Sequence, residues 1–202
     1  MTPQKRLFDL GLATLLAVLL APVMAVIAIV LWVTHGRPIL YRSRRMVTPD
    51  RAFMLMKFRT MALVDDDGGV TGGHKANRIT PAGRVLRHYR LDELPQFWNI
   101  LRGDLSFVGP RPPLPEYVRR FPHLYRRVLQ SRPGVTGLAT LIIHRMEGRH
   151  LARCTDPGAA DALYARLFIP RKARLDLIYQ RHASLWFDCA LIWRTATTVL
   201  RR

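Results

Sequence analysis

Apolar and polar positions are unevenly distributed along this chain. From Leu10 to Val33 no charged residue occurs for 24 positions, and as a helix that run would reach roughly 36 Å at about 1.5 Å per residue, enough to cross a bilayer core. It exceeds the apolar region of a secretory signal, about 7 to 15 residues, and contains no Ala-x-Ala cleavage site. Pro22 stands at its centre, where it removes one backbone hydrogen bond and clashes with the carbonyl of Val18, so the helix should break there. Each half is then too short to cross a core of about 30 Å. Both flanks are basic, Lys5 and Arg6 before the run and Arg37, Arg42, Arg44 and Arg45 after it, which assigns both ends to the cytoplasmic side. A helix that enters, breaks and leaves by the same face satisfies the pattern, and a kinked spanning helix remains open. Ala13, Ala17, Ala21 and Ala25 recur at i+4 and could seat another helix.

Downstream, ILYRSRR (39–45) and AFMLMKF (52–58) alternate in part on either side of TPDR, which predicts a short hairpin. The glycine-rich stretch 65–77, opening with Asp65, Asp66 and Asp67, reads as a solvated loop. Thr80 and Pro81 cap a short helix, and a second runs from Asp92 to a stop at Gly103. The proline-rich stretch 103–118 is expected to be irregular and to hold Arg111 stiffly between two prolines. Further helices are expected over 116–130, after Asp156 and Pro157, over 171–182, and from Ser184 to the end, with 132–137 as a turn. In the last helix Leu185, Trp186, Cys189, Ile192, Trp193, Ala196, Val199 and Leu200 share one face, the pattern of a helix packed on a core or lying in a membrane interface. The fold class is mainly α with one small β hairpin.

Charge narrows the partners. Lys and Arg number 32 against 14 Asp and Glu, a formal net charge of +18, which points to polyanions: nucleic acid, acidic head groups or phosphorylated small molecules. No aromatic platform interleaved with basic residues and no reading helix occurs, which argues against nucleic acid. Cys154 and Cys189 are far apart and are expected to be buried apolar residues rather than a disulfide or zinc site. Within this positive field Asp92 and Glu93 stand side by side in RLDELPQ. Spacing alone leaves three roles open, a solvated helix cap, a metal-ligand pair, or a nucleophile with its helper.

KFRTM (57–61), LRHYRLDELPQFWNILRGDLSFVGPRP (86–112) and RPGVTG (132–137), behind a proline-broken apolar helix, resemble the bacterial sugar transferase family, and more narrowly its small monotopic phosphoglycosyl transferases. KRLFDLGLA at the start and ARLDLIYQRHASLWFDCALIWRT near the end extend the likeness over nearly the whole chain. The resemblance implies transfer of a sugar 1-phosphate from a UDP-sugar to a polyprenyl phosphate with release of UMP. Asp92 would be the nucleophile, forming a phosphosugar-aspartyl intermediate, and Glu93 the general base or orienting group. Lys57, Arg59, Arg87 and Arg111 would bind phosphate, with Mg²⁺ on Asp92 and the pyrophosphate. The positive field would hold Asp92 ionised. The resemblance also implies residues 1–36 as a re-entrant membrane helix broken at Ala21-Pro22 and 37–202 as a compact interfacial catalytic domain with amphipathic helices. The location would be the cytoplasmic face of a bacterial inner membrane, where membrane lipids and downstream glycosyltransferases are partners and a homo-oligomer is possible.

Two departures from the family pattern stand out. The usual Ser-Pro break is Ala21-Pro22 here, which loses a hydroxyl able to satisfy a freed carbonyl. After RPGVTG the family commonly continues WAQVNGRN, whereas this chain has LATLIIHRMEGRH, whose His144 and His150 are expected at the surface. Two rival readings keep the fold but change the chemistry, a non-catalytic scaffold of a glycan assembly complex and a direct displacement in which Asp92 only binds metal.

Overall fold

The computed structural model describes residues 1–63 and 78–201, so Asp65, Asp66 and Asp67 lie outside the described residues. The chain is mainly helical. Helix α1 (Pro3–Leu19) is capped by the Thr2 hydroxyl, and α2 (Ala21–His35) follows at a bend of 59°. The break falls at Leu20, and Pro22 sits in the first turn of α2, where its missing N–H costs no hydrogen bond. No single described helix is long and apolar enough to cross a membrane, although the bent pair together has the required length and composition. Ala13 of α1 is buried in the main core with Ile100, Leu105 and Val108, while Ile27 and Leu31 of α2 pack with Phe58 and Leu86. Much of the remaining apolar surface of the pair, including Val18, Leu19, Val26 and Val33, faces outward.

The expected hairpin forms from β1 (Leu40–Met46) and β2 (Ala52–Phe58), antiparallel, with Tyr41 opposite Lys57, Ser43 opposite Leu55 and Arg45 opposite Phe53. Helix α3 (Pro81–His88) begins at Thr80 as expected, its hydroxyl accepting from the Gly83 N–H. The helix expected from Asp92 starts later. Leu91–Glu93 form a separate 3₁₀ turn, and α4 (Gln96–Arg102) follows and ends at Gly103, whose φ of 85° is left-handed.

Two stretches read as irregular or as a turn pair with each other. Strand β3 (Ser106–Val108) lies parallel to β4 (Gly134–Thr136), Ser106 against Gly134 and Val108 against Thr136. A Cβ on Gly134 would sit 2.2 Å from the Gly109 nitrogen, so the close approach requires glycine. The single helix expected over 116–130 is two, α5 (Pro115–Arg120) and α6 (Pro122–Val128), because Pro122 drives the preceding Phe121 to φ −129°, ψ 57°, outside the helical region. The departing segment forms α7 (Leu138–Leu151). Helix α8 (Pro157–Leu163) opens at Asp156 and continues through a π-helical segment, Tyr164–Phe168, into α9 (Ile169–Arg181).

Helix α10 (Leu185–Leu200) starts at Ser184 and turns Asp188 and Leu191 inward. Its aromatic face is outward, with Trp186 85% and Trp193 71% exposed. Asp188 anchors the helix, pairing with Lys5 of α1 and accepting from the Tyr179 hydroxyl at 2.6 Å. The cysteines are not core residues, since Cys189 is exposed and Cys154 partly so.

Candidate active site

Strand β2 alternates, and Lys57 falls on the same inward side as the buried Phe53 and Leu55. Asn99 of α4 fixes the strand edge from outside the sheet. Its carbonyl accepts from the Met56 N–H at 3.0 Å and its amide donates to the Met54 carbonyl at 2.9 Å, so one side chain replaces a missing strand partner. This clamp sets the distance between Lys57 and the turn that carries the acids.

That turn begins at Arg90, whose φ of 57° and ψ of 22° are left-handed, a conformation costing a non-glycine residue on the order of 1–3 kcal/mol. The Arg90 guanidinium folds back onto Glu93 Oε2 through Nη2 at 2.5 Å and Nε at 3.2 Å, and reaches the Val135 carbonyl at 3.4 Å. The charge-assisted fork offsets the backbone strain and ties the turn to β4. Lys57 Nζ lies 2.8 Å from Glu93 Oε1, and Arg111 Nη2 reaches the same oxygen at 3.2 Å. The backbone leading into Arg111 is fastened to β4, since the Gly109 N–H donates to the Thr136 carbonyl and the Pro110 carbonyl accepts from the Gly134 N–H, each at 2.9 Å.

In a 3₁₀ turn neighbouring residues point about 120° apart, so the two acids diverge. Glu93, 9% exposed, meets three cations. Burial pushes its carboxyl up, but Lys57, Arg90 and Arg111 outweigh it and hold the group well below the ordinary carboxylate range. Asp92, 7% exposed, accepts no hydrogen bond from any described residue, and its nearest cation is Lys57 at 3.7 Å. Burial pushes it above its ordinary value, against the pull of Lys57 and the weaker pulls of Arg87 and Arg111. The positive field therefore acts on both acids in the direction that favours the ionised form, and outweighs burial only at Glu93.

Arg87 of α3 donates from Nε to the Thr60 hydroxyl at 2.8 Å, and α3 is pressed on that segment because Gly83 brings its backbone against the Thr60 carbonyl, where a Cβ would lie 2.1 Å away. Arg59 points elsewhere. Its guanidinium donates to the carbonyls of His35 at 2.5 Å and Gly36 at 3.0 Å, closing the end of α2. Asp92, Glu93, Lys57, Arg87 and Arg111 all line one cavity of about 540 Å³, and Arg59 forms part of its wall.

Sequence reading missed several parts of this wall. Tyr41, Ser43 and Arg45 of β1 line the cavity, and their period-two spacing in LYRSRRM was a usable signal. Thr60 and Asn99 carried none, because their partners lie 27 and 43 residues away. His144 of α7 is exposed and lines the same cavity, whereas His150 is exposed and lies 2.8 Å from the Met146 carbonyl. Among the described residues no three His, Cys, Asp or Glu side chains converge as a protein-only metal site.

Comparison with known proteins gives consistent relatives. The chain is 31% identical over 202 residues to the UDP-N-acetylgalactosamine-undecaprenyl-phosphate N-acetylgalactosaminephosphotransferase of Aeromonas hydrophila, covering 97% of this chain and 43% of that protein. It is 32% identical over 195 residues to the UDP-glucose:undecaprenyl-phosphate glucose-1-phosphate transferase of Escherichia coli K12, covering 95% and 39%. To the uncharacterized sugar transferase EpsL of Bacillus subtilis it is 36% identical over 196 residues, covering 97% and 87%. The chain thus spans less than half the length of the first two relatives and most of the third. The bacterial sugar transferase family model matches residues 1–202, the whole of the chain that builds this fold and this cluster, and the chain belongs to that family.

Proposed function

We propose that the protein transfers a sugar 1-phosphate from a UDP-sugar to a polyprenyl phosphate, through a phosphosugar intermediate on Asp92. The observation that carries this reading is the contrast between the acids: Glu93 is saturated by three cations, whereas Asp92 is buried, lines the cavity and accepts no hydrogen bond from a described residue. A capping carboxylate would be bonded to backbone N–H groups, and a structural ion pair would resemble Glu93. An oxygen with unshared lone pairs beside Lys57, Arg87 and Arg111 is suited to attack on phosphorus.

Asp92 attacks the β-phosphorus of the donor, the bond from that phosphorus to the bridging oxygen breaks, and UMP leaves with the bond's electrons. A phosphate oxygen of the polyprenyl phosphate then attacks the same phosphorus, freeing Asp92 and giving polyprenyl diphosphate-sugar. Both nucleophiles react as anions, so neither step needs a proton. Lys57, Arg87 and Arg111 stabilise the charge on the transferring group, Glu93 orients Lys57 and Arg111, Thr60 holds Arg87, and Arg59 fastens the end of α2. Mg²⁺ fits this site only in company with substrate, since at the dyad, among the described residues, Asp92 is the acid left without a hydrogen bond, and such an ion is commonly held by one or two carboxylates plus phosphates. When bound it neutralises charge on the pyrophosphate.

The bent α1–α2 pair serves as a re-entrant membrane element. Its outward apolar surface, the basic flanks and the exposed tryptophans of α10 support a location at the cytoplasmic face of a bacterial inner membrane, with residues 37–202 at the interface. There a soluble nucleotide-sugar and a lipid-borne acceptor can meet one site, and the product would feed later glycosyltransferases.

The test is intact-protein mass spectrometry after incubation with Mg²⁺ and a panel of UDP-sugars without acceptor. Wild type should gain the mass of one sugar phosphate and Asp92→Asn none. UMP release that requires polyprenyl phosphate, with no adduct at any time, would favour direct displacement and end the covalent reading.

A further inference from the structure

The cavity continues beyond the dyad to a second group of polar side chains, between α6, α7, the π-helical segment and α9. Lys172 and Asp176 stand four residues apart on α9, a spacing that ordinarily pairs them. They are not paired. Lys172 Nζ lies 2.6 Å from Glu147 of α7, 3.4 Å from the Tyr164 hydroxyl and 4.9 Å from the centre of its ring. Asp176 is left 8% exposed, on the cavity wall, with neither a hydrogen bond to, nor a cation within ion-pair distance from, any described residue. Burial pushes its carboxyl up to about 7, only partly opposed by Lys172. An unbonded buried carboxyl is costly, and nothing among the described residues gains from this one.

The surroundings indicate what would complete it. Tyr125, Thr140 and Tyr164 supply hydroxyls and aromatic faces nearby in the wall. Arg111 links the two ends electrostatically, being favoured by Glu93 and by Glu147 and Tyr164. The dyad end is cationic and suits a pyrophosphate, while at the α9 end Lys172 is matched by Glu147 and Asp176 adds an acceptor with no cation of its own among the described residues. Uracil, with one N3–H donor between two carbonyl acceptors on its edge, is a narrow match to a carboxylate. A neutral ring bearing several hydroxyl donors is a good one.

Resting on the reaction proposed above, we infer that Asp176 is a specificity-determining residue that accepts a hydrogen bond from a hydroxyl of the transferred sugar, whose ring lies between α7 and α9. Glu147 and Lys172 hold each other and leave that acceptor open. The sugar would exclude water from Asp176 and give its carboxylate the partner that the protein withholds.

The experiment is a cycle between protein and substrate. UDP-glucose, UDP-galactose and UDP-N-acetylgalactosamine are assayed first, and monodeoxy analogues of the best donor are then compared on wild type and Asp176→Asn, with Asp176→Glu as a second variant should the first not be recovered. For wild type, the analogue lacking the bonded hydroxyl should lose on the order of ten-fold or more in kcat/KM, as expected for a hydrogen bond to a charged group. Asp176→Asn should lose as much on the parent donor and show no further loss with that one analogue, while the other analogues behave alike on both proteins. A merely structural role would penalise every donor equally. Parallel losses across all analogues would overturn the inference, as would an equal loss of affinity for UMP, which would assign the contact to the nucleoside. Absence of turnover by wild type on every donor would overturn the reaction itself and this inference with it; turnover with parallel losses overturns the inference alone.

Discussion

Replacing Asp176 by asparagine should make the unliganded protein more stable, and increasingly so as pH rises. In the fold the carboxyl is pushed from its ordinary 3.8 to about 7, whereas an unfolded chain ionises it near the ordinary value. Below about pH 4 both states are protonated and the site costs nothing through ionisation. Between 4 and 7 the unfolded state gains the ionised form that the fold disfavours, so stability falls, and above about 7 the loss is complete. At about 1.4 kcal/mol per pH unit the full penalty is roughly 4 kcal/mol, and asparagine, of nearly the same shape and never charged, removes it. For a chain of this size that corresponds to a rise in Tm on the order of 10 °C at pH 8.5, with less than half the gain at pH 5. Thermal unfolding of wild type and Asp176→Asn without donor, at both pH values, measures it. A gap that does not widen with pH, or a variant less stable than wild type at pH 8.5, would refute the reasoning. A variant that is more stable yet discriminates sugars less well is the signature of a carboxyl kept for binding.

Lys57→Met should move the acid limb of the pH–activity profile to higher pH, because the ammonium 3.7 Å from Asp92 is the main opposition to burial there, worth at most about 5 kcal/mol at an effective dielectric near 20. Activity should fall more at pH 6 than at pH 8.5; Lys57→Arg should restore the limb, and an unmoved limb in Lys57→Met would show that Asp92 does not depend on this cation. Gly134→Ala should force β3 and β4 apart, since the added carbon meets backbone at 2.2 and 2.6 Å. A loss of about 1–3 kcal/mol in unfolding free energy is expected, together with reduced activity because Arg90 and Arg111 are tied to this pair, and wild-type stability and rate would exclude the requirement for close approach.

What the sequence disclosed was local chemistry. Thr80 with Pro81, Asp156 with Pro157, and Ser184 announced helix starts, and the hairpin followed from alternation, because each depends on residues within a few positions. The split at Pro122 was also legible, since proline constrains its predecessor, yet the apolar periodicity masked it. The pairing of β3 with β4 was not legible, because three-residue strands carry almost no pattern and the contact joins segments 28 residues apart. Arg59 illustrates the same limit. Its neighbour Lys57 points into the cavity, and only the position of α2 turns Arg59 away. Asp176 carried no signal in the sequence, since its isolation arises because Glu147, from another element, holds Lys172.

The two adjacent acids are best understood through what each withholds from the other. Three cations converging with no counter-charge would repel one another and drift toward solvent before any donor arrived. Glu93 prevents that by pairing with all three, so the cluster is arranged before substrate binds. If Asp92 shared those contacts equally its lone pairs would be hydrogen-bonded and its attack blunted. The left-handed Arg90 and the tight turn after it separate the acids by direction rather than by sequence, giving Glu93 the cations and leaving Asp92 its oxygens. On the reaction proposed above, a pyrophosphate entering the cavity would meet cations already in place and draw them partly from Glu93 toward itself, strengthening charge stabilisation where that reaction needs it. Two neighbouring carboxyl groups in a strongly basic chain therefore do different work, one holding the field and the other acting within it.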